Sequence, residues 1–436
     1  MRIVVLGAGE SGVGAALLAK QNRHDVFVSD RGGIAEKYKH ELDAHGIAYE
    51  SGQHTWERVL AADEVIKSPG IPDHVPLIQE LLAKGKPVIS EIEYAGRYHQ
   101  SKVIGITGSN GKTTTTRLAW HLLKAAGFDV EMGGNIGKSF ARCLTERHRQ
   151  WYVLELSSFQ LDGISAFRPD LSMLLNISPD HLDRYGYEMG RYVAAKFRIN
   201  RSQRPDDWFV YKAEDAYIRE YLQGYAPNGQ PLGLTEGQIQ EGGVVAEGQF
   251  FDLSRTKLKG QHNYYNALFA LTAAMKCGAG AAALQQGLES FVPVPHRMEV
   301  VGTVNGVGYI NDSKATNVDA AYYALDAMPG SIVWIAGGQD KGNDYAPLQP
   351  LAREKVRVLI CLGVDNEKLK TAFAGIAALI LEAGSAEEAV QLAARNAREG
   401  EQVLLSPACA SFDLFKNYEH RGDLFREAVL GLTKTK

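Results

Sequence analysis

The segment Thr107-Gly108-Ser109-Asn110-Gly111-Lys112-Thr113 constrains this chain more than any other. It follows the apolar run Val103–Thr107 and opens a helical pattern that reaches about Ala126. A strand that turns through glycines into a helix aims backbone N–H groups and a helix N-terminus at one spot, which suits phosphate. Such a unit belongs to a parallel sheet covered by helices. The general spacing of a phosphate loop would put glycine at position 106, where this chain has Ile106. The mechanics survive that difference. Gly108 and Gly111 permit close backbone approach, Lys112 can neutralise β/γ-phosphate charge, and the Thr113 hydroxyl suits Mg2+. The loop therefore predicts a chain that uses ATP.

The rest of the chain sets the setting. Its 436 residues exceed what one hydrophobic core organises, so roughly two or three domains are expected. A formal net charge of −4 gives no global field toward nucleic acid or an anionic membrane. Cys143, Cys277, Cys361 and Cys409 stand far apart, which predicts reduced thiols and neither a disulfide framework nor a zinc knuckle. The N-terminus enters a strand-like run at once, and no apolar stretch approaches the roughly 20 residues that span a bilayer. A cytoplasmic protein is expected.

Strand and helix patterns alternate along the chain. Buried strands are predicted at Ile3–Leu6, Asp25–Ser29, Glu64–Lys67 and Pro87–Ser90, with helices Val13–Lys20 and Leu77–Ala83 among them. A second series holds Val103–Thr107, Trp151–Leu156 and Leu171–Ile177. Small antiparallel strands are predicted within 224–260, at Gly243–Glu247 and Gln249–Leu253. Phe291-Val292-Pro293-Val294-Pro295 reads as a linker, because two prolines stiffen the chain and resist helix. After it come strands at Gly308–Asn311, Ile332–Ala336, Arg357–Leu362 and Gln402–Ser406. The expectation is α/β with three domains, 1–92, 93–293 and 294–436: Rossmann-like, P-loop ATPase-like and Rossmann-like.

A second glycine cluster, Gly7-Ala8-Gly9-Glu10-Ser11-Gly12, also joins a strand to a helix, and Asp30 ends the next strand. That matches a dinucleotide fingerprint, acid about 20 residues on included. The fingerprint reports a diphosphate beside a nucleoside, so a nucleotide-sugar fits it as well as NAD does. Glu155 interrupts an apolar strand between Leu154 and Leu156; a buried carboxylate there needs a partner such as a metal ion. His181, in Asn176-Ile177-Ser178-Pro179-Asp180-His181, reads as a metal ligand, a proton carrier or merely a polar loop residue. Lys196, on its own pattern, reads as an ordinary helix-surface lysine.

Taken in order, TGSNGKTT, the Glu155 strand, NISPDHLDR, Ala195-Lys196, Gly260-Gln261-His262-Asn263, Pro295-His296-Arg297-Met298-Glu299 and Asn311-Asp312-Ser313-Lys314-Ala315-Thr316-Asn317 resemble the Mur ligases of peptidoglycan synthesis over essentially the whole length. The closing segment, Leu405 to Asp413 and on through Lys416 to Glu419, resembles the members that add D-glutamate to UDP-N-acetylmuramoyl-L-alanine. The resemblance implies that Glu10, Ser11, Asp30, Arg31, Ser68 and Gly70 hold UDP, while Asn135, Ser157, Gln160 and His181 line the sugar-peptide end. It implies ATP contacts from Gly108, Ser109, Asn110, Gly111, Lys112, Thr113, Thr114, Asn263, Asn266, Arg297 and Asp312. It implies two Mg2+ ions, replaceable by Mn2+, on Thr113, Glu155, His181 and Lys196, the lysine acting as a CO2-derived carbamate. It places D-glutamate against Thr316, Lys341, Ser411, Phe412 and Tyr418, with Lys314 at the catalytic centre beside Lys112, His181 and Lys196. Ser411 reads as the N-cap of a helix beginning Phe412-Asp413-Leu414. Tyr418 departs from the family, where phenylalanine is more usual.

The implied chemistry is amide ligation through an acyl phosphate, yielding ADP and phosphate, in cell-wall biogenesis and so in cell shape, division and the cell cycle. UDP-N-acetylmuramoyl-L-alanine, D-glutamate and ATP are the expected partners of a monomer that neither binds nucleic acid nor enters a membrane. The competing readings are a sibling ligase for another amino acid or folate, an NAD-dependent dehydrogenase and an ATP-gated binding module. Glutamate stereochemistry is not written in the sequence.

Overall fold

The structure, a computed structural model, describes residues 1–258, 260–293 and 295–432. Val294, in the predicted linker and first in the predicted third domain, lies outside the described residues. The N-terminal sheet has the order Ala48–Ser51, Asp25–Asp30, Arg2–Leu6, Glu64–Lys67, Val88–Ser90, all parallel. Strand order reverses direction between Arg2–Leu6 and Glu64–Lys67. The carboxyl ends on either side of such a switch leave a crevice, and Gly7 and Ser68 sit there.

The middle sheet runs Val130–Gly134, Trp151–Glu155, Lys102–Thr107, Leu171–Leu174, Trp208–Lys212, Gln230–Leu234, again all parallel. Its central strands are buried along nearly their whole length, as strands covered on both faces must be. Helices Lys112–Ala125 and Gln261–Lys276 bury Leu118, Leu122, Leu268 and Phe269 against Ile104, Ile106 and Val153. A three-stranded antiparallel sheet, Ile239–Gln240, Gly243–Ala246 and Gln249–Asp252, adds Val244 and Phe251 to the same core. The third large sheet is ordered Glu299–Val304, Val307–Asn311, Gln402–Leu405, Ile332–Ala336, Val356–Leu362, Leu379–Ala383. Its first pair is antiparallel and the others are parallel.

By contacts the chain forms two compact units. One holds Met1–Ser178 and Arg184–Phe291; the other holds Pro179–Asp183 and the chain from Val292 on. Within the first unit, Arg142 ties the N-terminal sheet to the middle one. Its Nε donates to Glu10 Oε1 at 2.6 Å, and its terminal nitrogens grip both oxygens of Glu41. These bonds draw Glu10, an expected UDP contact, into the framework.

Glu91 is a second tie. It is fully buried, its Oε1 accepts from Ala141 N at 2.5 Å, and its Oε2 has no partner among the described residues. Burial pushes its carboxyl up to about 8, and the charge of Glu10 adds to the rise. A raised carboxyl gives stability that is complete below the ordinary value of 4.5 and is lost as pH climbs through about 8. Glu91→Gln keeps the neutral shape without the titration. Its melting temperature is expected to exceed the parent's near pH 8 and to show no such gain near pH 5; thermal unfolding across that range checks it.

The predicted strands are all present, with ends shifted by a residue or so, except that Leu171–Ile177 stops at Leu174. The chain must leave the sheet there, because Asn176 turns onto the phosphate loop and accepts from Ser109 N at 3.0 Å. Ala48–Ser51, Val130–Gly134, Trp208–Lys212, Gln230–Leu234, Ile239–Gln240, Glu299–Val304 and Leu379–Ala383 escaped the sequence pattern. All but Trp208–Lys212 are edge strands, and the burial of each is partial. Cys143, Cys361 and Cys409 are buried and Cys277 is half-buried, all as free thiols. Among the described residues no helix is long and apolar enough to cross a membrane.

Candidate functional site

At the N-terminal crevice the two loops interlock. Gly12 is required by close approach, since a Cβ there would lie 1.9 Å from the Gly7 carbonyl oxygen. Gly9, by contrast, caps the helix Glu10–Gln21 and faces open space, so a ligand can reach the backbone there. Asp30 holds the loop by its backbone: Oδ2 accepts from Ala8 N at 2.6 Å and Oδ1 from Gly32 N at 2.7 Å. A cavity of about 680 Å3 is lined by Gly7, Asp30, Arg31 and Gly70, together with His54 and Trp56. The last two were missed by sequence reading. A tryptophan in the polar stretch Gly52-Gln53-His54-Thr55-Trp56 was the available signal, because an aromatic so placed is poorly explained by core packing.

At the carboxyl edge of the middle sheet, Ile106 is a fully buried strand residue and the turn begins only at Gly108. The departure from the general spacing is thus absorbed by a longer strand. Gly111 has a φ of +83°, and a Cβ on it would meet Asn266 Oδ1 at 2.4 Å. Asn266 also accepts from Thr115 Oγ1 at 3.2 Å and donates to Asn263 Oδ1 at 3.2 Å, so the helix Gln261–Lys276 braces the loop. Asn110 N donates to Asn176 Oδ1 at 2.8 Å. Lys112 Nζ donates to the carbonyls of Gly108 and Ser109, each at 2.8 Å.

Glu155 pairs in register with Ile106, which sets its carboxylate at the end of the strand beside the loop. It is 2% exposed. Asn135 Nδ2 donates to Oε1 at 2.8 Å, while Oε2 is buried without a partner among the described residues. A desolvated carboxylate oxygen with nothing to meet it fits a cation, so the residues present suit Mg2+. Asn135 is accordingly seen holding Glu155. Ser157 and Gln160 form a capping box at the start of the helix Ser158–Asp162, with Gln160 N donating to Ser157 Oγ at 3.2 Å.

Lys196 corrects its own sequence pattern. Far from being a surface lysine, it is 1% exposed on the helix Met189–Phe197. Its Nζ donates to Gly108 O at 2.8 Å and lies 4.5 Å from the Tyr192 ring centre. A buried amine beside the phosphate loop is a place for chemistry, whereas a solvated one is not.

The second unit holds His181, Arg297, Asp312, Lys314, Thr316, Lys341, Ser411, Phe412 and Tyr418. His181 has a φ of +52° and sits 3.6 Å from Asp180 Oδ2. Lys341 Nζ meets Asp180 Oδ1 at 2.8 Å. Asp312 is buried, and desolvation raises its carboxyl to about 7 while Arg297 opposes the rise. Arg297 keeps a buried Nε without a partner among the described residues. The expected helix after Ser411 is absent. Residues 412–414 make a turn, closed by Phe415 N donating to Ser411 O at 2.9 Å. The helix starts at Tyr418, and Asn417 Oδ1 takes the N–H of His420 at 2.7 Å. Asparagine caps a helix as well as serine does, so the segment offers two starts and the helix takes the second. Ser411 is buried and Phe412 is 70% exposed.

Arg421 was also missed. Its guanidinium is fully buried and donates to Ser313 Oγ at 3.0 Å, Ser313 O at 2.9 Å and Cys409 O at 3.3 Å. It also reaches Gly337 O at 3.4 Å. Ser313, Gly337 and Cys409 follow the carboxyl ends of three neighbouring parallel strands. One side chain therefore fixes the loops on which the expected amino-acid site is built.

Three family models cover the chain: a MurD N-terminal domain at residues 2–76, a Mur ligase middle domain at 106–274 and a Mur ligase glutamate ligase domain at 296–409. The UDP-N-acetylmuramoylalanine–D-glutamate ligase of Christiangramia forsetii is 49% identical, over 99% of this chain and 99% of that protein. The chain belongs to the Mur ligase family. The same-named protein of Bacteroides fragilis is also 49% identical, over 98% of this chain and 99% of its own. Among solved structures, the UDP-N-acetylmuramate–alanine ligase of Thermotoga maritima aligns with a TM-score of 0.62 at 20% identity, covering 99% of both chains. The MurF ligase of Thermotoga maritima, in complex with ADP, gives a TM-score of 0.62 at 17% identity over 94% of this chain and 96% of that one. These two likenesses establish a Mur ligase fold.

Proposed function

We propose that this chain is the ATP-dependent ligase that joins D-glutamate to UDP-N-acetylmuramoyl-L-alanine in peptidoglycan precursor synthesis. Identity of 49% to a ligase of that name, across 99% of both chains, carries the reading. The three-domain division at about residues 92 and 293 suits it: a UDP domain, an ATP domain and an amino-acid domain.

A carboxylate does not acylate an amine in water, because the group that must leave is oxide. Transfer of the γ-phosphoryl group of ATP to the L-alanyl carboxylate turns that oxygen into phosphate and releases ADP. The deprotonated amine of D-glutamate then attacks the acyl carbon, the C–N bond forms, and the C–O bond to phosphate breaks. The loop Gly108–Thr114 would bind and orient the triphosphate, with Lys112 carrying positive charge to the transferring group. Glu155 and Thr113 would hold Mg2+, and Lys196, after its neutral amine takes up CO2 and sheds a proton, would offer a second ion a carbamate. Such ions, or Mn2+ in their place, supply charge neutralisation for phosphoryl transfer. On the second unit, Lys314 would carry positive charge to the reacting end, and Thr316, Lys341 and the Ser411–Tyr418 segment would receive D-glutamate. A cytoplasmic monomer is the setting in which ATP and UDP-linked precursors meet.

Phosphate release measured over a panel of amino acids tests the reading. Turnover is expected only with UDP-N-acetylmuramoyl-L-alanine and D-glutamate together. Turnover with another amino acid instead would assign the chain to a sibling activity.

A further inference from the structure

The parallel strands Asp25–Asp30 and Ala48–Ser51 set Ser29 opposite Glu50 in register, and His54 follows just before the helix Trp56–Leu60. Ser29 is fully buried, and its Oγ stands 2.6 Å from Glu50 Oε1 and 2.6 Å from His54 Nδ1. One hydroxyl hydrogen cannot serve two acceptors. Glu50 also accepts from Thr55 N at 2.8 Å and Thr55 Oγ1 at 2.5 Å. Burial opposes its ionisation, but the hydrogen bonds from Ser29 and Thr55 hold its carboxyl below the usual range. An ionised carboxylate has no hydrogen to give, so Ser29 donates to Glu50 and accepts from His54 Nδ1–H. Burial pulls the imidazole below its ordinary 6.5, with Glu50 and Asp30 opposing the fall and Arg31 adding to it. The ring is therefore neutral at neutral pH, and a hydrogen on Nδ1 leaves a lone pair on Nε2. Nε2, on the distal edge of the ring, has no partner among the described residues.

We infer that His54 Nε2 selects the base of the bound nucleotide, accepting a ring N–H and so favouring uracil over cytosine. This rests on the reading of the N-terminal crevice as the UDP site. The diphosphate belongs at the open backbone of Gly9, where the helix Glu10–Gln21 begins. The cavity of about 680 Å3 has apolar walls from Trp56, Ile71 and Val75, which suit a planar ring. In such a pocket a few placed polar groups decide which ligand fits. Asp30, in the same lining, is occupied in holding the loop through Ala8 N and Gly32 N, whereas His54 offers an unused acceptor. Uracil carries N3–H between two carbonyl oxygens. Cytosine has a lone pair at N3, so its approach sets two lone pairs face to face. Ser29 and Glu50 act through His54, because they fix the tautomer and with it the sense of the selection.

Calorimetric titration of the full chain with UDP, CDP and 3-methyluridine diphosphate tests this. The parent should bind UDP at least about tenfold more tightly than either of the others, the scale of one hydrogen bond exchanged for an unpaired acceptor. His54→Phe keeps a ring and removes the acceptor, so UDP binding should weaken and the UDP–CDP gap close to within about twofold. His54→Gln, whose amide oxygen accepts, should recover part of the gap, which packing alone would not do. Both variants should melt with the parent, because the bonds of Ser29 and Thr55 to Glu50 remain. Quenching of tryptophan fluorescence by UDP that is lost in Trp56→Phe places the nucleotide in the cavity. A parental gap in His54→Phe, with that quenching intact, would overturn the inference and leave the UDP reading of the crevice standing. Equal binding of the three nucleotides by the parent, with the same quenching, would do likewise without recourse to any variant. UDP that binds without touching Trp56 fluorescence, or does not bind, would remove the UDP reading as well.

Discussion

Replacing Lys112 with alanine is expected to reduce ATP-driven phosphate release by at least about a thousandfold, to background. Losing one preorganised group that meets charge developing in a transition state costs on the order of 100- to 1,000-fold, and a phosphate-loop lysine is placed for the whole transfer. The fold should survive. Lys112 is half-buried at the first position of its helix, and its ammonium bonds to the loop carbonyls of Gly108 and Ser109 at 2.8 Å. Melting temperature should therefore move little while turnover disappears. Turnover within tenfold of the parent would mean that the loop does not grip the transferring phosphates.

Lys196→Ala should be equally inactive for a different reason, and differently repairable. Lys196 is 1% exposed and adjoins the loop through Gly108 O at 2.8 Å. As an ammonium it repels a metal ion, whereas as a carbamate it presents anionic oxygen ligands. Truncation to alanine would remove any such ligands and vacate a space that a small carboxylate can enter. Added formate or acetate is expected to restore a measurable fraction of activity to Lys196→Ala and none to Lys112→Ala. Near-parental activity in Lys196→Ala would refute the metal-ligand role. Inactivity that no short carboxylate relieves would point to a structural role through Gly108.

Much of this architecture was legible from local chemistry. The strand–glycine–helix junctions at Gly7 and Gly108 announce parallel sheets, because few other arrangements satisfy a buried apolar strand that turns at once into a helix. Glu155 was legible as buried, since leucines flank it on a strand. What failed to show was tertiary. Lys196 lies on a helix whose pattern gives no sign that its position faces the phosphate loop. Asn135, Ser157 and Gln160 are polar residues whose partners are one another's backbone or Glu155, and nothing in their spacing distinguishes that from ligand contact. Arg421 resembles any helix-surface arginine until three loops close over it. The false helix after Ser411 has the same origin: a serine before an apolar residue reads as a cap, but the helix waits for Asn417.

Phosphate release in the presence of ATP, Mg2+ and UDP-N-acetylmuramoyl-L-alanine, with D-glutamate compared against L-glutamate, is the measurement that decides whether this chain is the D-glutamate ligase. Stoichiometric phosphate and amide product are expected with D-glutamate, and neither when L-glutamate replaces it or when the UDP-linked substrate is withheld. Phosphate release that ignores the amino acid, or a preference for L-glutamate, would contradict it.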